Sequence, residues 1–407
     1  MTLPKAPEQA REQLESVVLP FWLEHGIDDR YGGFHTCFDN RGLTRTSTDK
    51  FTWSQGRFVW LLARAADLGN RGLLDLDGGR LLEHATAGAR FLESFAVLAD
   101  GTSRFAVGRS GRDGVSGQPD RSVYADCFVV MGLSELARVG GDPHWFDVAR
   151  PVLARARADI MAGTGPTPPY DVPAGYRAFG PRMILLNTLL VFAQADLAVH
   201  GSGSTTAWLL EALDAMLAYR LPDGTFAEMI GPDPESLVSR HRVPGHAIEG
   251  IWVALETMSL VADDRDRTPL LESIGALCSL GWDTEHGGLF RYTDSSGAVP
   301  PTGTRSGTPY EDLVTRTAAS KLWWVHSEAA ATTAIAAVRY DHGRSGQWFR
   351  QIWDYTLATF PAGGDGTEWI QIRDRSGRPL DEVVALPVKD PFHIVRNLMQ
   401  IVELGRP

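Results

Sequence analysis

Three histidines in this chain each open an apolar run, and that repetition is its first chemical signal. In Val243-Pro-Gly-His-Ala-Ile-Glu-Gly-Ile-Trp252, His246 and Glu249 stand three apart. On a helix that spacing puts them on one face, away from Ile248 and Trp252. Pro244 suits a first helical turn, where its missing N–H would have had no intrahelical partner. An imidazole beside a carboxylate suits a general base with an orienting partner. Taken alone, the pair reads equally well as a loop histidine and an acid favoured by the helix dipole. Lys321-Leu-Trp-Trp-Val-His-Ser-Glu328 crowds a second helix start with groups that are costly to bury idly; Trp323 and His326 are three apart, Trp324 and Glu328 four. Pro391-Phe-His-Ile-Val-Arg396 puts His393 in the first turn of a third.

A fourth cluster, Trp53-Ser-Gln-Gly-Arg57, sets an Arg four residues from a Trp. A guanidinium fork beside an aromatic wall suits polyhydroxylated or anionic ligands, although a surface Arg over a core Trp has the same spacing. One such histidine is ordinarily structural. Three at equivalent helix ends of a ring would converge on one pocket. Asp126, Glu249 and Glu328 keep a carboxylate pair for sugar hydrolysis in view. Neither HExxH, GxSxG, CxxC nor a phosphate-binding Gly loop after a strand occurs, which weighs against zinc chemistry, serine hydrolysis and nucleotide hydrolysis.

The elements that would position these groups are helices. Apolar periodicity predicts them over residues 8–24, 50–69, 79–98, 122–140, 143–162, 181–200, 204–220, 244–262, 268–280, 312–340, 345–360 and 388–404. Strand-like segments are few and short. A weak internal repeat runs through the connections: Asp28-Asp-Arg-Tyr-Gly-Gly-Phe-His35 is echoed by Asp283-Thr-Glu-His-Gly-Gly-Leu-Phe290, and more faintly after Gly363. Repeated units imply helix pairs that bury their faces on their neighbours. About twelve helices in pairs fit an all-α closed double ring, the (α/α)6 barrel with short β-hairpins in its connections. An open solenoid is the alternative.

The chain has 407 residues, 43% of them hydrophobic, with no linker-like break, so one domain over residues 1–407 is expected. The formal charge is −11 and basic residues are scattered, which argues against a nucleic-acid partner. Cys37, Cys127 and Cys278 are far apart and odd in number; neither a disulfide framework nor a metal site is expected. The polar N-terminus carries no signal-like segment, and no apolar run approaches membrane-spanning length. These features predict a cytoplasmic protein without a membrane partner. The sequence sets no oligomeric state, and ring helices with exposed apolar patches leave a homodimer open.

Phe21-Trp-Leu-Glu-His25, Gly32-Gly-Phe34, Trp53-Ser-Gln-Gly-Arg57, Pro244-Gly-His-Ala-Ile-Glu249, Gly281-Trp-Asp-Thr-Glu-His-Gly-Gly-Leu-Phe290, Lys321-Leu-Trp-Trp-Val-His-Ser-Glu328 and Phe392-His393 together resemble the N-acylglucosamine 2-epimerase (renin-binding protein) family, in register from about residue 20 to the last helix. The resemblance implies an (α/α)6 barrel and an isomerase that acts on a free sugar small molecule. It implies 2-epimerisation or aldose–ketose isomerisation through loss of the C2 proton of the opened sugar. His246 and His393 would be the acid/base pair, Glu249 would orient His246, and Arg57 would bind the oxygen where charge develops. Trp324, His326 and Glu328 would bind or open the sugar. Trp53 would wall the pocket, and Tyr124 matches a tyrosine used there by some members.

No cofactor is implied. The animal member's nucleotide activation has no recognisable motif here. Members acting on mannose, glucose or cellobiose carry a His where this chain has Asn187, and an Asn where it has Met183. The Met-x-Leu-Leu-Asn form resembles the N-acylglucosamine branch, and a neutral amide could bond an acetamido group. Val388 stands where cellobiose epimerases have Trp. The expected reaction is therefore interconversion of N-acetylglucosamine and N-acetylmannosamine. Mannose isomerase or mannose/glucose 2-epimerase activity is the alternative, with a barrel hydrolase or a protein-binding module behind it.

Overall fold

The computed structural model describes residue 3 and residues 5–363, 367–383 and 386–405. The chain opens with α1 (Ala6–Glu12), a π-helical segment (Gln13–Val18) and α2 (Leu19–His25). There follow β1 (Lys50–Phe51), α3 (Thr52–Asn70), α4 (Gly78–Phe91), β2 (Ala106–Val107), α5 (Val123–Gly140), α6 (His144–Ala162), β3 (Arg177–Ala178), α7 (Phe179–His200), α8 (Thr206–Leu217) and β4 (Met229–Ile230). The second half holds α9 (Leu237–Arg240), β5 (His241–Arg242), α10 (Pro244–Leu260), α11 (Thr268–Gly281), β6 (Thr293–Asp294), α12 (Pro309–Thr317), β7 (Lys321–Leu322), α13 (Trp323–Arg339), α14 (Gly343–Thr359), β8 (Ile372–Arg373) and α15 (Phe392–Leu404).

Helices α3, α5, α7, α10, α13 and α15 each pack on the next, and α15 returns to α3. That contact closes the ring and removes the open solenoid. The inner helices are buried on nearly every side, as helices apolar all round must be. Helices α4, α6, α8, α11 and α14 back them, and α1 packs on α15. The (α/α)6 barrel expected from the sequence is therefore the fold.

The inner helices α3 and α5 approach so closely that two glycines are obligatory. A Cβ on Gly56 would lie 2.3 Å from the Phe128 carbonyl oxygen, and one on Gly132 would lie 2.5 Å from that of Gly56.

The short strands act as fasteners, and the partners in each pair are joined through two helices and not by a hairpin turn. Strands β1, β3, β5 and β7 each run directly into an inner helix, and each pairs antiparallel with β2, β4, β6 and β8 respectively. Two-residue ladders thereby fix where four inner helices begin. The internal repeat is reproduced atom for atom beside two of them. Asp28 caps the backbone N–H groups of Arg30 and Tyr31, receives Lys50 Nζ at 3.0 Å and is clamped by the Arg109 fork at 2.9 and 3.1 Å. Asp283 does the same with Glu285, His286, Lys321 Nζ at 3.2 Å and the Arg375 fork at 2.8 and 3.0 Å. Part of the third echo, residues 364–366, lies outside the described residues.

Several helix boundaries differ from the periodicity. The run 312–340 is two helices, because Lys321 reaches Asp283 and the Gly288 carbonyl and holds β7 extended between them. Residues 388–391 precede α15 rather than belonging to it, as a residue before proline is steered away from helical angles. The α-helical part of 79–98 ends at Phe91 and gives way to a π-helical segment, Leu92–Ala96. The expectation that no apolar run approaches membrane-spanning length also needs correcting. Helix α7 is long and apolar enough to cross a bilayer, yet 72% of its apolar window is buried inside the ring.

Gly56→Ala is expected to cost about 1–3 kcal/mol, the usual penalty of overpacking. Thermal unfolding of the variant measures it; an unchanged midpoint would mean that α3 and α5 can part without loss.

Candidate active site

Because the ladders fix the inner-helix starts, first-turn side chains converge at one end of the ring. A cavity of about 250 Å³ lies there. Its wall takes Trp53 and Arg57 from α3, Tyr124 and Phe128 from α5, and Met183 and Ile184 from α7. His246 and Glu249 come from α10, Trp323 and Trp324 from α13, and His393 from α15. Loop residues Pro168, Pro169 and Tyr170, Glu228 and Met229 at β4, Val243, and Tyr310 and Leu313 of α12 also line it. Trp53 stacks on Tyr124 and Phe128, with centroids 5.1 and 5.4 Å away. The Trp324 ring lies 5.1 Å from that of His246 and 6.0 Å from that of His393.

The two histidines are held in opposite proton environments. His246 Nδ1 faces both carboxylate oxygens of Glu228, at 3.1 and 3.2 Å. Burial alone would lower its pKa, but the charge and hydrogen bond of Glu228, helped by Glu249, outweigh burial and raise it. His393 Nδ1 donates to Glu328 Oε1 at 2.7 Å, and its Nε2 accepts from Arg57 Nη2 at 3.1 Å. Burial lowers the pKa of His393, and the Arg57 charge adds to burial; Glu328 only partly compensates. The partners assign His393 as the neutral Nδ1–H tautomer. Arg57 is itself fixed by Asp390 Oδ2 at 3.1 Å and lies over the rings of Trp53, Phe128 and Phe392.

Beneath the histidines sits a buried ion network. Arg396 Nη2 donates to Glu249 Oε1 and Glu328 Oε1, both at 2.5 Å. Asn397 Nδ2 and Trp252 Nε1 also donate to Glu328, at 2.7 and 3.0 Å. Burial would raise the Glu328 pKa, but Arg396, His393 and Asn397 hold it below the usual carboxylate range. Glu249, Glu328 and His393 could offer a cation three ligand atoms within 4.8 Å of one another, but Arg396 already brings a positive charge to the two carboxylates.

Trp53, Arg57, Tyr124, His246, Glu249, Trp324 and His393 thus meet in one cavity as the motifs predicted. Four assignments change. The hydrogen-bond partner of His246 is Glu228, not Glu249, because Arg396 draws the Glu249 carboxylate toward the ring interior. Glu328 does not line the cavity; it orients His393 from below. His326 is fully buried, with Nδ1 on the Leu322 carbonyl at 2.7 Å and Nε2 accepting the Leu289 N–H at 2.8 Å. Both ring nitrogens are consumed in tying α13 to the preceding hairpin, so none is left for a sugar. Asn187, one turn deeper than Met183, lines a second cavity and not this one. Asp126 is spent on Ser103 and Arg121. Val388 packs by the Cys37 and Phe51 cluster, off the cavity wall.

The motifs missed Glu228, Asp390, Arg396 and Asn397. Arg396 and Asn397 fall three and four residues after His393, on its helix face, so their spacing was readable. Glu228 offered only a lone acid inside the apolar strand-like run Thr225-Phe-Ala-Glu-Met-Ile230.

The ring and its opposed histidines define a class: an (α/α)6 barrel with an acid–base centre at the mouth of its inner helices. The N-acylglucosamine 2-epimerase family profile matches residues 32–396, and the chain belongs to that family. It is 29% identical to the N-acylglucosamine 2-epimerase of Bos taurus over 411 residues, covering 99% of this chain and 92% of that one. In fold it resembles the cellobiose 2-epimerase of Bacillus thermoamylovorans, with TM-score 0.77 and 17% identity over 98% of this chain and 100% of the other. A D-mannose isomerase gives TM-score 0.72 at 16% identity, over 98% and 97%.

His326→Leu is expected to orphan the buried Leu289 N–H, at about 1–3 kcal/mol, while the Leu322 carbonyl keeps the backbone N–H of the first helical turn. The unfolding midpoint should drop while kcat of the folded enzyme holds. A lost kcat with an unchanged midpoint would return His326 to the catalytic set.

Proposed function

We propose that this protein is a cofactor-independent sugar 2-epimerase that interconverts N-acetylglucosamine and N-acetylmannosamine. The observation that carries this reading is the pair of histidines with opposed proton environments facing one cavity, with Arg57 hydrogen-bonded to one of them. Inversion at C2 needs a base on one face of the carbon and an acid on the other, since a single base would return the proton to its original face. Environments that push two like groups apart assign those roles. In the resting enzyme His393 is the neutral base and His246 the protonated acid. For the opposite epimer the roles reverse.

In the open-chain sugar the aldehyde acidifies the C2 proton. Arg57 transfers its Nη2 donor from His393 to the aldehyde oxygen, which uncovers the Nε2 lone pair. His393 takes the C2 proton, the C–H electron pair becomes the C1–C2 double bond, and the carbonyl pair moves onto oxygen. That oxyanion is held by Arg57 and by the positive ends of the inner helices. His246 returns a proton to C2 from the other side. Removing either imidazole is expected to lower kcat about 10²–10⁴-fold.

The N-acetyl substrate is supported by the relatives at 27–29% identity, all named N-acylglucosamine 2-epimerase. It is also supported by an apolar wall of Met183, Ile184, Met229, Val243 and Leu313, which suits an acyl methyl. With nitrogen on C2, ketose formation is blocked and only epimerisation remains. A neutral hexose is the second reading, favoured by the removal of Asn187 from the cavity wall. Proton NMR in deuterated water decides between them. N-Acetylmannosamine should yield N-acetylglucosamine carrying deuterium at C2. Deuterated fructose or glucose from mannose, with N-acetylmannosamine untouched, moves the chain to the neutral-sugar reading.

The pKa directions fix the pH profile. Because the His393 pKa is lowered from 6.5, kcat/KM should fall on the acid side only below that value. Because the His246 pKa is raised from 6.5, kcat/KM should fall on the alkaline side only above it. Glu228→Gln removes the group that raises His246, so the alkaline limb should move to lower pH while the acid limb stays. An alkaline limb that ignores this substitution would exclude His246 as the acid.

A further inference from the structure

The wall of the active-site cavity carries a hydroxyl whose proton is already committed. Tyr310, in the first turn of α12, lines that cavity, and its hydroxyl meets His241 Nε2 at 2.9 Å. His241 is fully buried on β5, with Nδ1 2.7 Å from the Val238 carbonyl oxygen. A carbonyl only accepts, so Nδ1 carries the imidazole proton. Burial lowers the His241 pKa, and Glu228 and the Val238 carbonyl only partly offset it, so the ring is neutral. Its Nε2 is then a bare acceptor, and the Tyr310 O–H must donate to it.

Burial holds the Tyr310 phenol protonated, aided by Tyr292, Glu228 and Tyr124 and opposed by Arg291. Those four residues all line the cavity, which places the hydroxyl at its wall. Among the described residues no second hydrogen bond reaches the Tyr310 oxygen. The oxygen therefore offers the cavity lone pairs and no proton, and donation to an imidazole makes it a stronger acceptor. A substrate N–H or O–H fits there, whereas a carbonyl would set lone pair against lone pair. The neighbours narrow the donor. Leu313 is three residues on, on the same helix face, and Val243 is two beyond His241; both line the cavity with apolar surface. In a trans amide the N–H and the acyl methyl share one edge, opposite the carbonyl. An acceptor beside apolar side chains matches that edge.

We propose that Tyr310 is a specificity-determining residue that accepts the N–H of the 2-acylamino group, its polarity fixed by His241. This rests on the N-acyl reading above and adds which edge of the amide faces the wall: the methyl lies toward Leu313 and Val243, and the carbonyl is turned away.

The test compares kcat/KM for N-acetylmannosamine and N-trifluoroacetylmannosamine in the full-length enzyme, Tyr310→Phe and His241→Leu. Fluorination strengthens the amide N–H as a donor and weakens its carbonyl as an acceptor. Tyr310→Phe should lower kcat/KM for N-acetylmannosamine about three- to tenfold, the size of one neutral hydrogen bond, and at least about twofold more for the trifluoroacetyl sugar. Effects of fluorine on ring opening and C2 acidity are common to the proteins and cancel in this double ratio. A smaller loss for the trifluoroacetyl sugar would mean that Tyr310 donates to the carbonyl; an equal loss would mean that it meets neither edge. Either overturns the proposal. His241→Leu keeps the phenol but frees its proton, so the ratio of trifluoroacetyl to acetyl kcat/KM should fall below that of the unsubstituted enzyme. That measurement stands even where Tyr310→Phe does not fold, and an unchanged ratio removes His241 from the arrangement. An unsubstituted enzyme that leaves N-acetylmannosamine untouched overturns the N-acyl reading and this proposal together; turnover with an unchanged double ratio overturns this proposal alone.

Discussion

Arg396 is the constraint on which the active site rests. A guanidinium buried to 2% exposure between two carboxylates is tolerable only if all three are paired. It decides where Glu249 and Glu328 point, and hence which carboxylate each histidine receives. Glu328, loaded with Arg396, Asn397 and Trp252, still has an oxygen for His393. Glu249 is bound to Arg396, and His246 takes Glu228 instead. The asymmetry between the two histidines is thus built below the cavity floor. His246 faces a carboxylate with no cation bonded to it among the described residues, so the imidazolium is favoured. His393 shares its carboxylate with Arg396 and meets Arg57 on its other nitrogen, so the neutral ring is favoured.

Such a network needs helices whose starts do not move. The two-residue ladders supply this for four of the six inner helices. The other two are set by side chains: the Ser122 oxygen accepts the Tyr124 N–H, and Asp390 accepts the Phe392 N–H. Asp390 also carries Arg57. One residue therefore fixes both the start of the helix bearing His393 and the cation that covers His393. The Asp28 and Asp283 clamps perform the same anchoring one layer out, each with a buried lysine that comes from the strand before an inner helix.

The sequence reading reached the ring because the signal for an inner helix is strong: a long apolar run with glycine or proline punctuation. It reached His246, His393 and Trp324 because first-turn residues of such helices must share one end of a ring; Trp53 and Arg57 came from their four-residue spacing, and Tyr124 from the family resemblance alone. It failed where contact is set across the ring rather than along a helix. Glu249 is three residues from His246, and helical spacing made it the natural partner; only the position of Arg396, on another helix, shows otherwise. His326 carries the same first-turn signature as the cavity histidines. What separates it is the Leu289 N–H, thirty-seven residues away in sequence. Asn187 shows the same limit in depth: one helical turn moves a side chain from one cavity to the other.

The carboxylate inventory argues against sugar hydrolysis on this ring. A glycosidase needs one protonated and one ionised carboxyl facing the scissile bond. Among the described residues, the acidic ones on this cavity wall are Glu228 and Glu249. Glu228 is bound to His246 and Glu249 to Arg396. Neither is arranged to be a general acid. Glu328 is kept ionised by the same cation and lies beneath His393, out of reach of a sugar. Proton donation here falls to an imidazole. A poised imidazole can take or give a proton at carbon within one turnover, which is the demand of epimerisation.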